Sequence, residues 1–189
     1  MQPMIRWSSI ATLFFLLVPL VHAGDDPSPV SGFQADFLGQ LDYAQKQILS
    51  LEEAMPQEKF TWRPSEGVRS VSEVYMHIAF SNYLLLSFMG FEPPPGVEFT
   101  GDIMADAKKW EATTTDKAKI AELIKKSMDN VRAIVPKVGD LEKKVEFFGQ
   151  SITTRNMMIN VLTHLHEHLG QSIAYARMNG VVPPWSAKQ

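Results

Sequence analysis

Four stretches of this chain space their apolar residues alternately three and four positions apart, with prolines or glycines between them. That spacing describes helices with one buried stripe each. In the first, over 31–53, the stripe is Phe33, Phe37, Leu41, Ala44, Ile48 and Leu51, and Pro56 ends it. The second begins at Ser70, where Ser70 and Glu73 have the S-x-x-E spacing of a capping box. Its buried side carries Val74, His77, Ile78, Ser81, Leu84, Leu85 and Phe88, and Gly90 with Pro93, Pro94 and Pro95 forbids continuation. The third, over 116–134, presents Ile120, Leu123, Ile124, Met128, Val131 and Ile134, and Pro136 stops it. The fourth and longest runs over 153–178, with Thr153 as N-cap and Gly180, Pro183 and Pro184 as its stop. Residues 91–115 are irregular, with room for one short helix over 103–110. The VEFF run (145–148) fits a single extended piece. Four amphipathic helices with no set of alternating strands predict an all-α, four-helix bundle with a long linker between its second and third helices.

The N-terminus reads differently. Residues 1–23 place Arg6 before an apolar run from Ile10 to Val21, and Val21-His22-Ala23 resembles a small-residue cleavage site. This pattern predicts a secretory signal peptide and an exported protein, periplasmic or extracellular, whose single domain is residues 24–189. The apolar run is short for a membrane span, so no stable span is expected after cleavage. The chain has no cysteine, which rules out disulfides, thiolate ligands and a cysteine nucleophile. A net charge of −3, with no aromatic-interleaved basic patch, argues against nucleic acid as a partner.

Three histidines stand within five residues of the fourth helix, in HLHEH. His164 and His168 are four apart and share a face, whereas His166 is turned about 200° from His164. Two imidazoles need a third ligand. His77, on the face of the second helix that carries Val74, Ser81 and Leu84, supplies one if it meets the pair across the bundle. Three neutral imidazoles hold a divalent ion, zinc or nickel by ligand type, and leave positions open to water or substrate. Each histidine also has a bland reading: His77 as a hydrogen-bonded packing residue, the pair as part of a solvent face.

Neighbouring residues extend the candidate site. Asn160, one turn before His164, and Gln171, three residues after His168, are placed to orient a ligand or a water, or merely to solvate the helix. Glu167 does not make a zincin, because HExxH puts Glu directly after the first His and here Leu165 follows His164. At about 300° around the helix it is a flank candidate for fixing an imidazole, or a surface ion-pair partner. Met157 and Tyr175 project near the His164 direction and either line the pocket or pack the core. No glycine-rich phosphate loop and no GxSxG elbow is present.

Two segments carry a family likeness: FTWRPSEGVRSVSEVYMHIA (60–79), with its W-x-P before the first histidine helix, and NVLTHLHEHLGQSIAYARMNGVVPPW (160–185), with H-x-x-x-H-x-G-Q followed by R-x-x-G-x-x-P-P. With the bundle layout, they resemble the DinB/YfiT-like family. The resemblance implies a four-helix bundle with a divalent metal on His77, His164 and His168, often as a homodimer. It also implies relatives that act as metal-dependent transferases on small thiols such as bacillithiol or mycothiol, or as thiol-dependent maleylpyruvate isomerases. Many relatives have a histidine directly before the last ligand, and here Glu167 stands there. The resulting expectation is an exported protein with an open three-histidine metal site, a hydrolase or small-thiol transferase on an unidentified small-molecule substrate. The rival from another class is a non-enzymatic bundle that binds a small ligand or a partner.

Overall fold

Among the described residues, three of the four long helices begin at a residue whose side chain caps them, two of them at the predicted Ser70 and Thr153 and the third at Asp116, which the sequence marks only as a start. The computed structural model describes residue 30 and residues 32–186; the expected signal peptide lies outside the described residues. Helix α1 spans Phe33–Ala54, α2 Val71–Ser87, α3 Ile103–Glu111, α4 Lys117–Ile134 and α5 Thr154–Met178, with strands β1 (Lys144–Phe147) and β2 (Gln150–Thr153) before α5. The capping box at α2 is complete: the Glu73 amide donates to Ser70 Oγ at 3.3 Å, and the Ser70 amide donates to Glu73 Oε2 at 2.7 Å. Asp116 caps α4 through the Lys119 amide at 2.8 Å, and Thr153 caps α5 through the Asn156 amide at 3.1 Å.

Among the described residues, the bundle is all-α apart from one hairpin. Helix α2 packs on α4 and α5, and α1 packs on the same two. Successive helices α1 and α2 therefore occupy opposite corners, and α2 and α5 are neighbours. The core they share includes Phe37, Leu41, Ile48, Leu51, Met76, Ile78, Ile120, Ile124, Met128, Met158 and Leu165, all fully or nearly fully buried. Burial on this scale is the main stabilising term, at roughly 1.5–3 kcal/mol per large side chain.

Two details depart from the sequence reading. First, α2 is buried on almost every side, with fourteen of its seventeen residues out of solvent, where one stripe was expected. The linker explains this: α3 folds back over α2 and covers Phe80 and Leu84 with Ala107. Second, the expected single extended piece is an antiparallel hairpin. Phe148 (φ 47°) and Gly149 (φ 79°) make its two-residue turn, and two positive φ values match the right-handed twist of the strands. The hairpin runs straight into α5 and holds its start, because the Thr154 and Arg155 amides donate to the Lys143 and Leu141 carbonyls, both at 2.9 Å.

The loop before α2 is pinned in the same way. Buried Phe60 stacks on Tyr75 with ring centres 6.1 Å apart, and the Val71 and Ser72 amides donate to the Trp62 and Phe60 carbonyls. Arg69, beside the Ser70 cap, is thus held at the top of α2. Among the described residues, no helix is long and apolar enough to cross a membrane.

Candidate metal centre

His77 reaches the bundle interior from α2, and His164 and His168 reach it from α5. The three offer nitrogen atoms that all lie within 4.8 Å of one another. His164 Nε2 is 3.2 Å from His77 Nε2 and 3.1 Å from His168 Nε2. With ligand bonds of about 2.0–2.1 Å, such separations open an angle of about 100° at a shared ion, near tetrahedral. His168 is 6% exposed, and His77 and His164 are half-buried. His166 stands outside the cluster, exposed, with Nδ1 on the Leu162 carbonyl at 2.8 Å.

The far side of each ring shows what the near side is for. His77 Nδ1 is 2.8 Å from Glu111 Oε1, and His168 Nδ1 is 2.8 Å from Gln171 Oε1. Both oxygens only accept, so each Nδ1 carries a proton, and in the neutral ring each Nε2 then presents a lone pair. These lone pairs both face His164 Nε2, which holds at most one proton. The single His164 proton serves only one of them and leaves the other to a long contact, such as that of the Ser81 hydroxyl with His77 Nε2 at 3.4 Å, and a buried His164 Nδ1 has no partner among the described residues. A cation satisfies all three Nε2 atoms at once, so the donor set fits a divalent ion.

The outer partners form one continuous network. Gln171 Nε2 donates to the Tyr175 hydroxyl at 3.0 Å, and that hydroxyl donates to the Arg69 carbonyl at 3.2 Å. Arg69 Nε donates to Glu111 Oε2 at 2.9 Å, and Glu111 Oε1 receives His77. From His168 round to His77, α5, the pinned loop and α3 are thus tied together by side chains that orient the rings. Burial drives the His164 imidazole down to about 3, helped by its two histidine neighbours and by Arg69. His168 is also held below the usual imidazole range, by burial against the opposing Gln171 hydrogen bond. Burial pushes the Glu111 carboxyl up, but hydrogen bonds from His77 and Arg69 outweigh it and keep it below its ordinary value. The depressed His164 and His168 rings favour the neutral form and Glu111 favours the charged one, which is the state a metal centre needs of them.

The other predicted residues divide. Gln171 and Tyr175 belong to the network. Met157 is wholly buried in the hydrophobic core. Asn160 is half-buried and its side chain makes no hydrogen bond to a histidine ring. Glu167 is exposed and acts on His168 only as a nearby negative charge. Ser81, predicted on the buried side, brings its hydroxyl 3.4 Å from His77 Nε2. Glu111 and Arg69 were missed. Glu111 ends a short helix in the irregular linker, 34 positions from His77, and no local spacing relates the two.

An open cleft of about 850 Å³ lies beside this network, lined by Arg63, Arg69, Glu73, Asp102, Met104, Lys108, Glu111 and Gln171 among others. It gives a small molecule a route to the network from outside the bundle.

Comparison with known proteins agrees with this architecture. The family profile described as the DinB superfamily matches residues 40–172. No curated protein matches the sequence. A DinB-like protein from Bacillus cereus is 20% identical, over 81% of this chain and 98% of its own, with a TM-score of 0.65. YfiT from Bacillus subtilis, described as a probable metal-dependent hydrolase with an unusual four-helix bundle topology, is 17% identical over 82% of this chain and 93% of its own, with a TM-score of 0.63. A conserved protein from Enterococcus faecalis is 14% identical over 79% and 98%, with a TM-score of 0.62. At these identities the likeness is one of fold.

Proposed function

The chain belongs to the DinB superfamily, and we propose that it is an exported metal-dependent hydrolase whose ion, zinc or nickel, sits on His77, His164 and His168. One observation carries the reading: three Nε2 atoms converge while acceptors tie off Nδ1 on two of the rings. When bound, a divalent ion supplies Lewis-acid chemistry and lowers the pKa of a water at an open position.

The chain's own residues prepare that position. Glu111 and Gln171 keep the Nδ1 protons of His77 and His168 on the side away from the centre, which fixes both tautomers. Arg69 and Tyr175 lock those two orienting residues to each other. Both Glu111 oxygens are engaged, so this carboxylate positions rather than shuttles protons. Packing of α2 against α5 closes the interior side, and the cleft lined by Arg69, Glu111 and Gln171 brings a substrate up to the residues that orient the rings.

Hydrolysis is preferred to thiol transfer because water is available in every compartment. The leader-like pattern of residues 1–23 supports export, whereas the small thiols used by transferases are mainly intracellular. The relation to YfiT supports the same choice by analogy. Metal analysis of untagged protein tests the reading, followed by a broad hydrolase screen of the metal-loaded form. One ion per chain, lost in His164→Ala/His168→Ala together with turnover, is the expected result. Metal-free protein after equilibration with zinc and nickel would end it. A stoichiometric ion without any turnover would favour the binding module instead.

A further inference from the structure

The cleft wall holds three carboxylates and three cationic side chains, and they are not equally committed. Glu73 is taken up by the α2 capping box and by Arg63 at 3.1 Å. Glu111 is divided between His77 and Arg69. Asp102 caps α3 through the Ala105 amide at 3.1 Å. Every carboxylate in the wall therefore has a partner inside the protein. Of the cations, Arg63 spends its two terminal nitrogens on the Val68 carbonyl and on Glu73. Arg69 uses only Nε, which leaves both terminal nitrogens without a partner among the described residues. Lys108, exposed on α3, has none at all among those residues.

From this imbalance we propose that Arg69 and Lys108 form an anion subsite, so that the molecule acted on at the histidine centre carries an oxyanion group, such as a carboxylate, beside its reacting group. The inference rests on the metal reading above and adds the substrate class to it. Position favours it. The Arg69 guanidinium is one carboxylate away from His77, through bonds of 2.9 and 2.8 Å, so a small molecule spans both places. Chemistry favours it too: a planar guanidinium with its terminal nitrogens spare is the side chain best shaped for two parallel bonds to an oxyanion. Arg69 is also braced, through its carbonyl by Tyr175 and through Nε by Glu111, so little freedom is lost on binding. Met104, 74% exposed at the cleft edge, offers an apolar, adaptable contact for the rest of the molecule.

The test uses the full protein loaded with Co²⁺ and two probes with the same metal-seeking thiol, 3-mercaptopropionate and its neutral amide. Thiolate-to-cobalt absorption reports each dissociation constant. The anionic probe is expected to bind about tenfold more tightly than the amide at low salt, and the preference is expected to shrink as salt is added. Lys108→Glu, on an exposed position, is expected to remove most of the preference with cobalt stoichiometry and far-UV circular dichroism unchanged. Arg69→Met is expected to abolish it, with the d–d spectrum showing whether the ion itself is still held. Equal affinities of the two probes on fully cobalt-loaded protein would overturn the subsite and leave the metal centre standing. A preference unmoved by Lys108→Glu and Arg69→Met would overturn it as well. Failure to take up cobalt would overturn the metal reading, and this proposal with it.

Discussion

Glu111 Oε1 receives His77 Nδ1 at 2.8 Å, joining the linker helix α3 to the bundle helix α2 across 34 positions of sequence. The same carboxylate holds Arg69 through its other oxygen at 2.9 Å. One side chain from a segment with no regular pattern therefore sets the orientation of one candidate ligand and the position of the cation at the cleft.

Glu111→Ala frees His77 to rotate and to exchange tautomers. Zinc affinity is expected to fall about 10- to 100-fold, the usual effect of removing an outer partner of a ligand histidine. Competition with a chromophoric chelator measures it. An unchanged affinity would show that α2 packing alone orients the ring.

His166 and His168 are two residues apart, yet only His168 faces the centre. His168→Ala is expected to abolish stoichiometric metal, while His166→Ala leaves it intact. Melting curves with and without a chelator give a second readout. Because an ion bound only by the folded state adds roughly 3–4 kcal/mol when present at 100 to 1,000 times its dissociation constant, removing it lowers the melting temperature of wild type and His166→Ala but not of His168→Ala.

Glu52 on α1 is 2% exposed, one of its oxygens has no partner among the described residues, and burial raises its pKa from 4.5 to about 7 against the pull of Lys117. A carboxyl raised in the folded state contributes stability that is fully present below its unfolded pKa and lost as pH rises through about 7. Urea unfolding of the metal-free protein is expected to contain a Glu52 component that declines by on the order of 1–3 kcal/mol between pH 5 and 8, opposed over part of that range by the depressed His164 and His168, which add stability as pH rises. Glu52→Gln is expected to remove that component, so that the variant gains on wild type as pH rises and exceeds it at pH 8. Parallel wild-type and variant curves would refute the assignment.

Ser70→Ala removes the side-chain half of the capping box at the start of the helix that bears His77. A loss of about 1 kcal/mol in denaturant unfolding is expected. Metal stoichiometry is expected to stay unchanged, because α2 is buried along nearly its whole length and its frayed first turn lies before His77.

The sequence by itself determined every long helix of the bundle. Periodicity places Leu41, Ile48, Ile124 and Leu165 inward, and Ser70, Asp116 and Thr153 start their helices by bonding an amide three residues on. It also determined that His164 and His168 share a face and that His166 does not. These are consequences of a backbone that repeats every 3.6 residues, so they act within one or two turns.

Which helices touch was left to the tertiary structure. The diagonal placement of α1 and α2 makes α2 the neighbour of α5, and only then does His77 meet the pair. The fold-back of α3 was equally invisible. It buries the remaining side of α2 and delivers Glu111 and Lys108 to the centre and its cleft. A side chain in an irregular linker obeys no period. Its position is chosen by which apolar surfaces of the whole chain can be covered together, and that choice depends on residues far away along the sequence.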